Sequence, residues 1–169
     1  MTEAATKTGK QGERRVLSDK DEVKAAVIDA TANATRTLAI LTPDLEPEIY
    51  DQTDFLDVLK RFVLARSFAR VRVLITQPSR SLTTGNQFVA MAHRLNSYIE
   101  LRHLKPEIGK REDAFFIADE KAVVYRAHAD SWDGMSDPCE PAVARYYLEA
   151  FEQLWQACAT EAELRRNMF

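Results

Sequence analysis

Two runs of five residues, the apolar Ala114–Ala118 and Ala122–Arg126, apolar up to its closing arginine, stand three residues apart in this sequence. That spacing leaves little choice besides a β-hairpin closed through Asp119, Glu120 and Lys121. Upstream, short apolar runs at 38–42, 70–76 and 98–104 alternate with segments whose apolar residues recur at helical spacing, at 18–35, from 53 onward and at 86–95. Phe55, Leu56, Leu59, Phe62 and Val63 form one such stripe. Ala144, Tyr147, Leu148, Phe151, Leu154 and Trp155 form another, after a proline (Pro141) suited to a first helical turn. Ser18 reads as the cap of the first helix, and 44–52 and 128–140, rich in Asp and Pro, read as loops. The expected order is α-β-α-β-α-β-β-β-α. Strands alternating with helices predict an α/β fold: a mixed, mainly parallel sheet with helices on both faces and a late antiparallel hairpin. Residues 1–16 are polar and unpatterned and read as a disordered tail, leaving 17–169 as a single domain, the size at which one core suffices.

Apolar residues at 46% and charged residues at 29% exclude a disordered chain. The longest apolar runs fall far short of the roughly 20 residues that cross a bilayer, and the first fifteen residues contain no apolar leader. Cys139 and Cys158 stand alone, without CxxC spacing or a neighbouring histidine, which argues against a disulfide framework or a zinc site and for a reducing compartment. A cytoplasmic protein without a membrane partner is the expectation. His93, His103 and His128 lack paired metal-binding spacing, and Asp130, Asp133 and Asp137 do not match a calcium loop, so no cofactor or metal is expected.

Charge is unevenly distributed. Residues 44–57 hold six acids and no base; 58–111 hold eleven Lys/Arg against two acids; 112–163 hold twelve acids against three bases. Such blocks make either a basic face for phosphates or, as the favoured reading, faces that the fold interleaves. Arg66, Arg70, Arg72 and Arg80 surround one strand and are suited to phosphate contacts. From Ser18 onward, however, 24 acids outnumber 19 bases, which argues against nucleic acid as a partner.

The layout and its hairpin resemble one half of a phospholipase D-like domain. That family carries His-x-Lys-x4-Asp on the hairpin, followed by a Gly-Ser-x-Asn turn. With the final Asp set on Asp119, Glu112 stands where the family has its His, Ala114 where it has its Lys, and Arg126-Ala-His-Ala129 where it has Gly-Ser-x-Asn. The family's His attacks phosphorus and its Lys steadies phosphate charge, and neither a carboxylate nor an alanine does so. Three further stretches, Leu41-Thr-Pro-Asp-Leu-Glu-Pro-Glu-Ile-Tyr50, Phe55-Leu-Asp-Val-Leu-Lys-Arg-Phe62 and Arg94-Leu-x-Ser-Tyr-Ile-Glu-Leu-Arg102, are similar to an uncharacterised bacterial phospholipase D-like family. Its members stand alone or trail an acetyltransferase domain. The resemblance implies a domain without the family's catalysis that acts by association. It implies a homodimer, because an active site of this family joins two halves, and an acetyltransferase or other protein as a further partner.

Open α/β sheets bind ligands beyond the carboxyl ends of their strands. That edge is expected to gather Thr42, Asp44, Gln77, Ser79, Arg126 and His128, with Tyr50 closing over them. Such a set suits a phosphorylated or polar small molecule. The competing reading has Asp44 and Tyr50 stabilising their loop and Arg126 pairing with an acid. Four functions therefore stand open: association, small-molecule binding at the strand edge, weak nucleic-acid binding and, last, catalysis by residues outside the family signature.

Overall fold

The computed structural model describes residues 13–78 and 85–168, with side chains as far as Cys158. Its strands are β1 (Arg15–Leu17), β2 (Thr37–Thr42), β3 (Arg70–Ile75), β4 (Ile99–His103), β5 (Ala114–Ala118), β6 (Ala122–Arg126) and β7 (Gly134–Asp137). Its helices are α1 (Lys20–Ala32), α2 (Pro47–Tyr50), α3 (Thr53–Ala65), α4 (Gln87–Arg94) and α5 (Pro141–Met168). The strands form a single mixed sheet in the order β1-β7-β6-β5-β2-β3-β4. The fold is α/β with helices on both faces, as the alternation of elements predicts. The sheet is not mainly parallel as expected: parallel pairing is confined to β2, β3 and β4, and the four remaining pairings are antiparallel. β5, β6 and β7 follow β4 without the helical crossovers that parallel neighbours need.

Three elements differ from the sequence reading. β7 lies inside the stretch read as a loop, β1 begins inside the stretch read as tail, and α2 occupies part of the 44–52 loop. Residues 1–12 of that tail lie outside the described residues. β1 and β7 are three and four residues long and lack an apolar alternation. They are strands because each completes a neighbour's hydrogen bonds: β7 pairs with β6 and with β1. The first helix is capped one residue later than expected. Asp19 accepts from the Glu22 amide at 2.9 Å, while the Glu22 carboxylate accepts from the Ser18 amide at 2.6 Å, a reciprocal arrangement that satisfies two otherwise orphaned donors.

Strand periodicity divides the core in two. Leu38, Ile40, Val71, Val73, Phe116 and Val124 face α1, α3 and α4, whose Val23, Val27, Phe55, Leu59, Phe62 and Phe88 complete one cluster. Ala39, Leu41, Leu74, Phe115, Ile117 and Val123 face the other way, against Ala144, Phe151 and Trp155 of α5. One face is thus covered by several helices and the other by α5.

Asp119, at the turn of the β5–β6 hairpin, has a structural task. It and Glu120 take left-handed backbone conformations (φ 55° and 60°), which closes the β5–β6 hairpin. Its carboxylate accepts from the amides of Thr35 (2.8 Å), Arg36 (2.7 Å) and Thr37 (3.0 Å), fastening the hairpin to the start of β2. Asp119→Asn keeps a residue tolerant of this backbone but weakens charge-assisted acceptance. It is expected to lower unfolding free energy by about 1–2 kcal/mol in urea titrations.

Candidate functional site

β2, β3 and β4 end at one edge of the sheet, and the register places the start of β5 and the end of β6 there too: Leu41 pairs with Phe115, and Ala114 with Arg126. Cross-strand partners in an antiparallel pair point to the same face. Arg126 therefore projects beside Ala114, the position at which the resemblance puts the phosphate-binding lysine. A cation does stand at this edge, contributed by the neighbouring strand.

That cation is fully engaged by the protein itself. Arg126 is 4% exposed. Its Nη2 donates to Glu46 Oε1 at 2.5 Å, and its Nη1 donates to the carbonyls of Ala129 and Ser131, both at 3.0 Å. The Trp132 ring lies 4.8 Å from the guanidinium carbon. The loop after β6 is thus wrapped around the side chain of the strand it leaves, and the Ala129 amide secures it to the Glu112 carbonyl at 2.7 Å. Gly134, at the start of β7, permits the closure: a Cβ there would run into the Tyr125 carbonyl oxygen and Arg126 Cγ. Gly134→Ala is expected to displace β7 and to lower the midpoint of thermal unfolding by several degrees in calorimetry.

Glu46 reaches Arg126 because of the turn after β2. The Thr42 hydroxyl accepts from the Leu45 amide at 3.1 Å, and Leu45 adopts φ 57° with its side chain completely buried. A left-handed leucine is costly, and burial of the side chain together with the Asn86 Nδ2 bond to the Leu45 carbonyl (3.3 Å) holds it there. The following residue, Glu46, enters α2 with its carboxylate turned inward. Burial pushes the Glu46 carboxyl above the ordinary range, and the Arg126 charge opposes that shift. Burial likewise raises the Tyr50 phenol, with the Glu46 charge adding to it.

The structure brings some of the expected site residues together and separates others. Tyr50 lies beside the Glu46–Arg126 pair but is a core residue, 4% exposed, set edge-on to Phe55 and Phe88 at 5.3 and 6.1 Å. Asp44 is half-buried on the turn. Gln77 and His128 are exposed, and each is held through its backbone, Gln77 by an amide bond to the Pro43 carbonyl and His128 through its own carbonyl to the Ser131 amide. Glu112 is exposed and Ala114 buried at 4%. Ser79 and Arg80 lie outside the described residues. Glu46 and Trp132 were not in the expected set. One signal pointed to a partner such as Glu46: an arginine closing an otherwise apolar strand needs a buried acid.

Of the basic residues around β3, Arg72 is packed under α5 while Arg70 is exposed and folded back onto its own turn. Arg72 pairs with Glu152 at 2.5 Å and lies 5.1 Å from the Phe151 ring centre, and Arg70 donates to the Ser67 and Ala69 carbonyls. Among the described residues no group of three His, Cys, Asp or Glu side chains is placed to hold a metal ion, and no helix is long and apolar enough to cross a membrane. A cleft of about 760 Å³ runs between α1 and the β6, β7 and β1 strands, away from this edge.

Solved structures resemble this fold, among them the following three. TrmBL2, described as an archaeal chromatin protein with a novel mode of DNA binding, is 14% identical, with a TM-score of 0.58 over 85% of this chain and 52% of its own. NucT from Helicobacter pylori is 12% identical, with a TM-score of 0.57 over 87% of this chain and 98% of its own. Phosphatidylserine synthase from Haemophilus influenzae Rd KW20 is 14% identical, with a TM-score of 0.56 over 88% of this chain and 39% of its own. At such identities the likeness is one of fold. The chain spans about half the length of TrmBL2, two-fifths of the synthase and nearly all of NucT. No curated protein matches the sequence. Residues 19–166 match the model of a domain of unknown function, and the chain belongs to that family, DUF7931.

Proposed function

We propose that this domain is a non-catalytic phospholipase D-like half that acts by association, with a second copy of itself as the first partner. The observation that carries this reading is the internal ion pair at the strand edge. Arg126 stands beside Ala114, where the resemblance puts a lysine that steadies phosphate, and its guanidinium is already bound to Glu46 and two carbonyls. A phosphodiester arriving there would have to displace a buried carboxylate, and the exposed Glu112 carboxylate at the family's histidine position would repel it. What remains useful is the scaffold. The fold occurs as part of a longer chain in TrmBL2 and the synthase and at close to full length in NucT, which suits a unit that operates beside another.

Sedimentation equilibrium across a micromolar concentration series tests the association. A dimer mass that dissociates on dilution is expected, and a monomer at every concentration would refute it. Bis(p-nitrophenyl) phosphate should release nitrophenol no faster with the protein than in buffer. Turnover abolished by Glu112→Ala would overturn the non-catalytic part of the reading.

The TrmBL2 likeness favours nucleic acid as a second reading. It requires oligonucleotide affinity that falls steeply with salt. With Arg72 paired to Glu152 and acids in excess over the chain, binding that is weak and flat in salt is the expected outcome.

A further inference from the structure

On the α5 face of the same strand edge, opposite the Arg126 side, lies a second cleft of about 350 Å³ lined by Arg111, Asp113, Tyr125, Tyr146, Tyr147 and Glu149, with Ala150 and Gln153 behind them. We infer that this cleft binds an organic cation, an alkylammonium or guanidinium group of side-chain size, between the tyrosine rings and the Glu149 carboxylate.

Four observations lead there. The cleft is at the small end of the roughly 300–1,000 Å³ range of ligand sites, enough for a head group and little more. Its walls are aromatic: Tyr125 and Tyr147 stack at 4.5 Å and 25°, Tyr146 stands edge-on to Tyr147 at 5.0 Å, and Tyr146 is itself 69% exposed. Aromatic faces carry negative potential and attract cations. The lining is also organised in advance. Arg111 grips Asp113 through Nε and Nη2 at 2.9 and 2.7 Å.

Charge then selects among ligands. Arg111 and Asp113 cancel, and none of the ion pairs among the described residues involves Glu149, so the cleft keeps one unbalanced negative charge. An anion would find the Arg111 fork occupied and Glu149 opposed to it. Neutral phenols with one free carboxylate are a poor set for a metal ion, consistent with the absence of a three-ligand cluster among the described residues. A soft organic cation satisfies both the rings and the acid.

The test uses the intact chain, with choline as the probe and its uncharged isostere 3,3-dimethyl-1-butanol as the comparison, followed by tyrosine ring shifts in NMR. Choline should move the Tyr125, Tyr146 and Tyr147 signals and the isostere should not. Tyr146→Ala and Glu149→Gln, both at exposed positions, should each weaken choline about three- to fivefold without changing the thermal midpoint. A trimethyllysine peptide binding about tenfold tighter than choline would identify a protein side chain as the source, and equal affinities a free cation. Equal shifts from choline and the isostere, no tyrosine shift at millimolar choline, or unchanged affinity in both variants would overturn the inference.

Discussion

Arg126→Met is expected to lower unfolding free energy by about 3–5 kcal/mol, because it leaves the Glu46 carboxylate buried without its partner. The side chains of the pair are only 5% and 10% exposed, so water screens little of the loss. Two carbonyls, of Ala129 and Ser131, also lose their donor, so the loop after β6 should loosen with it. Arg126→Met/Glu46→Leu should recover most of the stability, since removing both charges removes the desolvation that each imposes. The pH dependence has a definite sign. Burial already raises the Glu46 carboxyl above its ordinary 4.5, and without the opposing arginine charge it rises further. The folded Arg126→Met variant therefore holds a proton that the unfolded chain has released. Its stability is highest at acid pH and falls as pH climbs from the ordinary carboxyl value through the raised one, with the double variant flat over that window. Urea titrations of the wild type and both variants along a pH series check this. A single variant as stable as wild type and indifferent to pH would mean that Glu46 finds another partner, and the internal pair would lose its place in the functional argument.

Much of the fold was legible because the elements with strong local signals are also the buried ones. β5 and β6 run between Ala114 and Arg126 with the boundaries that their apolar runs predict, and Asn86 caps α4 by accepting from the Phe88 and Val89 amides. β7 was not legible because Gly-Met-Ser-Asp has no β-branched residue and no alternation, and its conformation is imposed by β6 and β1 on either side. The site was half legible. Arg126 was expected at the strand edge and is there; Tyr50, expected to close over a pocket, is instead a core residue. The pairing of Arg126 with Glu46 spans 80 residues, so no local pattern encodes it. The charge blocks explain why the partner is an acid of that region. Arg72, from the basic stretch, meets Glu152 from the acidic one, whereas Arg126 is one of the few bases of the acidic 112–163 stretch and meets Glu46 of the acidic 44–57 stretch. The first pair thus interleaves opposite blocks, and the second neutralises a base and an acid within acidic ones. The tyrosine cleft was invisible for the opposite reason: Tyr147 read as part of a core-facing helical stripe, and only the position of α5 over β5 and β6 leaves it lining an opening.

Phe151→Ala should cost about 3–5 kcal/mol, an effect as large as the loss of Arg126 and arising from packing alone. Phe151 is completely buried beneath α5, stacked on Trp155 at 5.7 Å and 15° and set against Phe115 of β5 at 6.3 Å. Arg72 and Arg102 lie against the same aromatic pair, Arg102 at 4.0 Å from the Trp155 ring centre with its Nη1 donating to the Trp155 carbonyl. Removing the phenyl ring therefore leaves a cavity and strips Arg72 of one aromatic face. For a domain of this size the midpoint should fall by roughly 6–20 °C in calorimetry. The unfolding curve distinguishes two ways of losing that energy. If α5 stays docked in the variant, the urea slope is unchanged and only the midpoint moves. If α5 releases first, the slope falls and the second core cluster opens before the first. The second outcome would turn the α5 face of the sheet, with Leu41, Leu74, Phe115 and Ile117 on it, into an exposed apolar surface, and the variant should then self-associate whatever the wild type does. Sedimentation of Phe151→Ala beside the wild type is thus the control for the association reading: a dimer in both at the same affinity comes from a surface other than this one, whereas a dimer in the variant alone comes from the uncovered core.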